Sequence, residues 1–162
     1  MPNHRQRLAA VFISAAILAG GAWAASLVPG AGASADELRT GETRQGLSVT
    51  VKNIRNTRGQ VIVLVMEDAH AYQSGNYEAA VGYLEIPAST GSVRADFPEL
   101  AGGRYAVIAF HDENRNRDLD LEGEIPVEGY ALSGARDAYD EPPFQRAASK
   151  DPTRTIKMHY LK

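Results

Sequence analysis

Arg104-Tyr-Ala-Val-Ile-Ala-Phe110 is the stretch that decides the fold. Tyr105 to Phe110 is apolar without interruption, so neither face of the segment is polar. It is short and rich in aromatic and β-branched residues, which reads as a strand covered on both sides. Val61-Ile-Val-Leu-Val-Met66 has the same character and makes a second central strand. Outward from these two, the apolar residues alternate. Leu47, Val49 and Val51 oppose Ser48, Thr50 and Lys52. Val93, Ala95 and Phe97 share one face of Ser92–Phe97, and Ile156, Met158 and Tyr160 share one face of Thr153–Leu161. Period two with one apolar face is the mark of a half-buried strand. Gly82–Ile86, stopped by Pro87, and Val127–Leu132 are shorter strands. Asn56-Thr-Arg-Gly59 carries turn chemistry, so the first two strands are expected to form a hairpin. Residues 68–80 read as a polar connection with a short helical turn.

Seven short strands without an amphipathic helix predict an all-β fold. The expected form is an immunoglobulin-like or transthyretin-like antiparallel β-sandwich of about seven strands. A small open barrel is the alternative. Leu100-Ala-Gly-Gly-Arg-Tyr105 sets a tyrosine just after a glycine turn, either as a tyrosine corner or as a plain core residue.

Residues 1–35 differ from the rest. Arg5 and Arg7 precede a segment from Leu8 to Ala35 with no charge, and Ala22-Trp23-Ala24 and Ala33-Ser34-Ala35 are small-x-small sites. A basic start, an apolar core and such a site predict a signal peptide. Cleavage is expected after Ala35, with Ala24 as the second site. The alternative is an uncleaved anchor, since Leu8–Val28 is long enough to span a bilayer. Either way the expected location is extracytoplasmic, periplasmic or secreted, with membrane contact only through this segment if it stays. Residues 36–45 form an expected flexible lead, and 46–162 the sandwich domain. The chain has no cysteine, so it has no disulfide, thiolate metal site or cysteine nucleophile, and the fold must hold by packing. Its 17 Lys and Arg against 20 Asp and Glu argue against a nucleic-acid binder, which shows a basic stripe.

The charge is unevenly placed. With Arg5 and Arg7 left in the leader, 15 basic residues face 20 acids, a net of −5. Residues 112–128 alone hold seven acids and two arginines, also −5. Within this stretch Asp112, Asn114, Asn116, Asp118 and Asp120 put oxygen-bearing side chains at every second position. A hard cation such as Ca2+ takes six to eight oxygens at once, and a loop curling round an ion can present alternate side chains inward. Asp112-x-Asn114-x-Asn116 opens as an EF-hand loop does. The sixth position is then Arg117 instead of glycine, and the twelfth is Gly123 instead of glutamate, with Glu122 or Glu124 offering a late carboxylate. No helices flank the loop, so it is no EF-hand. The competing reading is a solvated, metal-free turn whose acids Arg115 and Arg117 partly neutralise.

Several of these stretches occur together in one family. Gly103-Arg-Tyr105 through His111-Asp112-Glu-Asn114-x-Asn116-x-x-Leu119-Asp120 resembles the signature of the bacterial exported family known as domain of unknown function 2141. Leu47-x-Val-x-Val-x-Asn-Ile-Arg-Asn-x-x-Gly59, Ile125-Pro126-x-Glu128-Gly129-Tyr130, Pro142-Pro143-Phe144 and Thr155-Ile-Lys157 fit it as well. The resemblance spans about residues 46–161. It implies an exported β-sandwich with no established activity and no catalytic residues to carry over. The family pattern usually has glycines inside the Asp-Asn-Asn loop. This chain has Arg115 and Arg117 there, which argues against a tight metal loop.

Other chemistry is sparse. His70, His111 and His159 have no metal-ligand spacing. His111 beside Asp112 is either a general base or a strand-end histidine. No nucleophile elbow, P-loop or dinucleotide fingerprint is present. Tyr72, Tyr77, Tyr130, Tyr139 and Phe144 either stack on a partner or cover core edges. The expected function is a non-enzymatic binding or interaction module with a protein or glycan partner in the cell envelope, its acidic loop a candidate for Ca2+. The alternatives are a weak metal-dependent hydrolase using His111 and the loop, or a purely structural envelope protein.

Overall fold

The computed structural model describes residues 46–162. The expected signal peptide and flexible lead lie outside the described residues. Seven strands form two sheets. β1 (Leu47–Ile54), β4 (Gly91–Phe97) and β9 (Thr153–Lys157) make an outer sheet in the order β4-β1-β9. β2 (Gln60–Met66), β3 (Gly82–Pro87), β5 (Ala106–Asp112) and β8 (Gly129–Leu132) make a second sheet in the order β3-β2-β5-β8. A two-stranded ribbon, β6 (Leu121–Glu122) and β7 (Ile125–Pro126), precedes β8. The expected all-β sandwich is the fold. Its pairs are antiparallel except β1 with β9, which run parallel.

The alternation read from the sequence sets the layers. Val49 and Val51 of β1, Val93 and Ala95 of β4 and Ile156 of β9 face Val61, Val63 and Val65 of β2 and Val107 and Ala109 of β5 in the inter-sheet core. The outer side of β1, β4 and β9 carries Lys52, Arg94, Asp96 and Lys157, all exposed. The second sheet is covered again on its far face. Ile62, Leu64, Ile108 and Phe110 pack there with Leu119, Ala71 of helix α1 (Ala69–Ser74) and Ala147 of helix α2 (Phe144–Ala147). Covering on both sides is why β2 is apolar from Val61 to Met66 and β5 from Ala106 to Phe110.

Two expectations are corrected. β1 and β2 are not a hairpin. β1 pairs with β4 and β9, and β2 with β3 and β5, so residues 55–59 carry the chain from one sheet to the other. The turn chemistry is real, but β1 is apolar on one face and β2 on both, and strands with different surroundings belong to different sheets. The last strand also ends early. After Lys157 the chain crosses the sandwich edge, and His159 exchanges backbone hydrogen bonds with Tyr130 of β8 at 2.8 and 3.0 Å.

The helical turn in 68–80 is α1, capped by Asp68 Oδ1, which accepts the N–H of Ala71 at 2.6 Å. Tyr105 is buried, with its ring against Gly103, so it folds back on its own glycine turn. Most loop aromatics serve the core. Tyr72 and Phe144 meet edge to face at 5.8 Å, Tyr77 packs beside them and Tyr130 is buried, whereas Tyr139 is 79% exposed.

Candidate functional site: the Asp112–Glu128 loop

The loop leaves the end of β5, and its first side chains are not solvated. Gln60 and Val61 of β2 pair with Asp112 and His111, which extends β5 two residues past its apolar run. Both polar side chains are therefore fully buried. His111 Nε2 lies 2.8 Å from the Arg58 carbonyl, and Nδ1 lies 2.9 Å from the Tyr160 hydroxyl. A neutral ring carrying its proton on Nε2 satisfies both contacts: Nε2–H donates to the carbonyl and Nδ1 accepts the Tyr160 O–H. Both nitrogens are engaged, which is the strand-end histidine rather than a base open to substrate.

Asp112 organises the turn that follows. Its Oδ1 accepts the N–H of Asn116 at 3.0 Å, and its Oδ2 accepts the N–H of Arg117 at 3.0 Å and the Gln60 amide at 2.9 Å. Asn114 Oδ1 accepts the N–H of Asn116, and Asn116 Oδ1 accepts that of Asp118, two Asx turns in succession. These bonds curl the chain tightly. Arg115 (φ 64) and Arg117 (φ 67) both take the left-handed conformation that glycine adopts without strain. The loop is thus tight even with arginine at the two positions where the family pattern usually has glycine. Asp112 fixes this curl by accepting the backbone N–H groups of Asn116 and Arg117.

The arginines do not neutralise the loop. Arg117 Nε pairs with Glu85 of β3 at 2.9 Å, and Arg115 Nη2 reaches the Gly59 carbonyl at 3.4 Å. Arg55 and Arg58 both pair with Glu113, Arg55 at 2.5 Å. Burial pushes the Glu113 carboxyl up, but Arg55, Asn56 and Arg58 together outweigh it and hold the group low. Asp118 and Glu128, which have no such partner, go the other way. Burial, then Asp120 and Asp112, raise Asp118. Burial raises Glu128, and the fields of Asp120 and Asp112 add to it against two backbone hydrogen bonds.

Glu128 is the carboxylate that sequence reading passed over as a ligand or support. It is 4% exposed, and it accepts the N–H of Glu113 at 2.7 Å and of Asp120 at 3.2 Å, one on each arm of the loop. An acid between Val127 and Gly129-Tyr130, at the start of a strand, was the signal for it. Gln60, Arg55 and Tyr160 were invisible for another reason: each reaches the loop from a distant part of the chain.

Asp112, Asn114, Asn116, Asp118 and Asp120 are therefore brought into one loop. Asp120 sits between two amides, with Asn114 Nδ2 at 2.6 Å from one oxygen and Asn116 Nδ2 at 2.9 Å from the other. Glu122 pairs with Lys162, and Glu124 is exposed at the tip of the β6–β7 ribbon. No group of three or more His, Asp or Glu among the described residues is already gathered to hold a metal ion. An ion here would need the Asn114 and Asn116 amides to turn their oxygens inward and release Asp120. Side-chain amides make that turn at the cost of two hydrogen bonds.

The family model described as "Uncharacterized protein conserved in bacteria (DUF2141)" matches residues 49–156, from β1 to β9 and through the whole loop. The chain belongs to this family. The DUF2141 match includes the central strands, Asp112, Glu128 and the β8 segment, so the sandwich and its loop are one family unit. No curated protein and no solved structure matches the chain.

Proposed function

We propose that this protein is an exported, non-enzymatic binding module of the cell envelope whose Asp112–Glu128 loop takes a hard divalent cation such as Ca2+. One observation carries the reading. Asp112 and Asp120 act electrostatically on both Asp118 and Glu128, while the ion pairs among the described residues go to other acids. Clustered carboxylates without a cation repel, and a bound ion relieves that repulsion. Asp112, Asp118 and Asp120 would supply carboxylate oxygens, and Asn114 and Asn116 carbonyl oxygens. The rigid sandwich beneath would present the loaded loop to a protein or glycan partner. Export rests on the leader at residues 1–35, with its basic start and uncharged core.

Titration calorimetry with CaCl2 on the purified protein tests the reading. Extracellular Ca2+ modules bind at about 0.1–1 mM. Heat of binding and a rise in melting temperature at millimolar Ca2+ are expected, and Asp112→Ala should abolish both. No heat and no rise in melting temperature would reject it.

A further inference from the structure

We infer that the C-terminal segment His159–Lys162 is a strap that holds the Asp112–Glu128 loop closed, with Arg55 as its buckle. The inference stands whether or not the loop takes a cation. Arg55 lies on the connection between the sheets, and one guanidinium reaches three separate segments. Nε donates to Glu113 Oε1 at 2.5 Å, Nη2 to the Val127 carbonyl at 3.1 Å and Nη1 to the Lys162 carbonyl at 2.6 Å. Glu113 and Val127 are the residues just inside Asp112 and Glu128. The guanidinium therefore ties the two feet of the loop to each other and to Lys162.

Tyr160 adds a second tie. Its hydroxyl accepts the backbone N–H of Arg55 at 3.1 Å and donates to His111 Nδ1 at 2.9 Å. Arg55 lies over its ring, 4.5 Å from the centroid, and the ring packs on Gly129, next to Glu128. Lys162 closes the line by pairing with Glu122 on the ribbon. The strap is anchored before it reaches the loop, by the Met158 carbonyl to Asn53 Nδ2 at 2.7 Å and by His159 on β8.

One such contact at a surface is weak, since solvent screens an exposed ion pair and ordering its side chains costs entropy. Several contacts sharing one guanidinium and one phenol act together, because ordering either side chain for one bond orders it for the rest. Displacing the strap loosens the loop, and by linkage opening the loop loosens the strap.

Amide hydrogen exchange, followed by NMR on the purified protein, tests this. The reporters are the Glu113 and Asp120 amides, which bond Glu128 inside the loop. In Arg55→Met they should exchange at least tenfold faster, while Val63 and Val107 in the central strands keep their wild-type protection. Trypsin should cut after Arg115 and Arg117 faster by a similar factor. Arg55→Lys, which keeps the Glu113 pair and loses the fork, should fall between. Unchanged exchange at Glu113 and Asp120 overturns the inference. So does a parallel loss of protection at Val63 and Val107, which would make Arg55 a general stabiliser. Should Arg55→Met fail to fold, Tyr160→Phe keeps the ring and removes both hydroxyl bonds. It must then speed exchange at the same two amides alone, or the inference fails.

Discussion

Glu128 Oε1 accepts the backbone N–H of Glu113, 15 residues away in sequence, at 2.7 Å across the mouth of the loop. With the second bond, to Asp120, one buried carboxylate serves both arms. Glu128→Ala should leave two donors unpaired, each costing about 1–3 kcal/mol. Urea unfolding of the variant against wild type measures the loss, and a difference under about 0.5 kcal/mol would contradict the role. Glu128→Gln keeps acceptor capacity and should lose less. The two variants also separate charge from hydrogen bonding. Because the folded carboxyl is raised, Glu128 contributes stability that is present below the unfolded carboxylate range and is lost as pH rises through the folded value. Wild type should therefore lose stability relative to Glu128→Gln as pH rises above the ordinary carboxylate range.

Asp118 gives a direct readout of the loop's charge. Burial and the fields of Asp120 and Asp112 hold its carboxyl above the ordinary aspartate range. A divalent ion in the loop would reverse this, because a nearby positive charge favours the ionised form. Carbon-detected NMR titration of the side-chain carboxyl should show a high value in Ca2+-free buffer. At millimolar Ca2+ it should drop below the ordinary value. A titration curve that Ca2+ does not move would count against the cation reading.

The left-handed arginines are a strain that glycine would remove. Arg115 donates only a long bond to Gly59, so its side chain contributes little, while a non-glycine residue in this conformation costs about 1 kcal/mol. Arg115→Gly should be more stable than Arg115→Ala by about 1 kcal/mol in urea unfolding. Glycine's extra freedom in the unfolded chain reduces its gain over wild type. Equal stability of the two variants would show that the conformation is not strained there.

Period two and the two doubly apolar runs placed all seven sheet strands, because burial on one face or two is a local property written residue by residue. The sheet partners were less legible. Asn56–Gly59 looks like a hairpin turn, and only the contrast between one-sided β1 and two-sided β2 marks a change of sheet. β5 was read to end at Phe110 because His111 and Asp112 are polar. They stay in the strand because β2 pairs with them and because Tyr160, Arg58 and Gln60 satisfy their polar atoms. The acidic loop was legible as a composition. Of its supports, Glu128 shows in the sequence as an acid at the start of a strand, whereas Arg55 and Tyr160 meet the loop only through the tertiary fold.

Gly59 is where that tertiary fold leaves least room. It turns the connection from β1 to β2 with φ 66, and a Cβ built on it would fall 1.9 Å from the Asp112 carbonyl oxygen. Gly91 also has a positive φ, 94, but a Cβ there meets nothing within 4 Å. The pair divides the cost of a side chain into conformation and collision. Gly91→Ala should lose about 1–2 kcal/mol, the conformational part alone. Gly59→Ala should lose at least about 2 kcal/mol more, because the connection and the start of the loop must move apart. The excess should be visible at Asp112 and Glu113 as amide chemical-shift changes absent from Gly91→Ala. Equal losses in melting experiments would mean that the two segments part freely. In that case the packing of Gly59 against Asp112 would not help to position the loop.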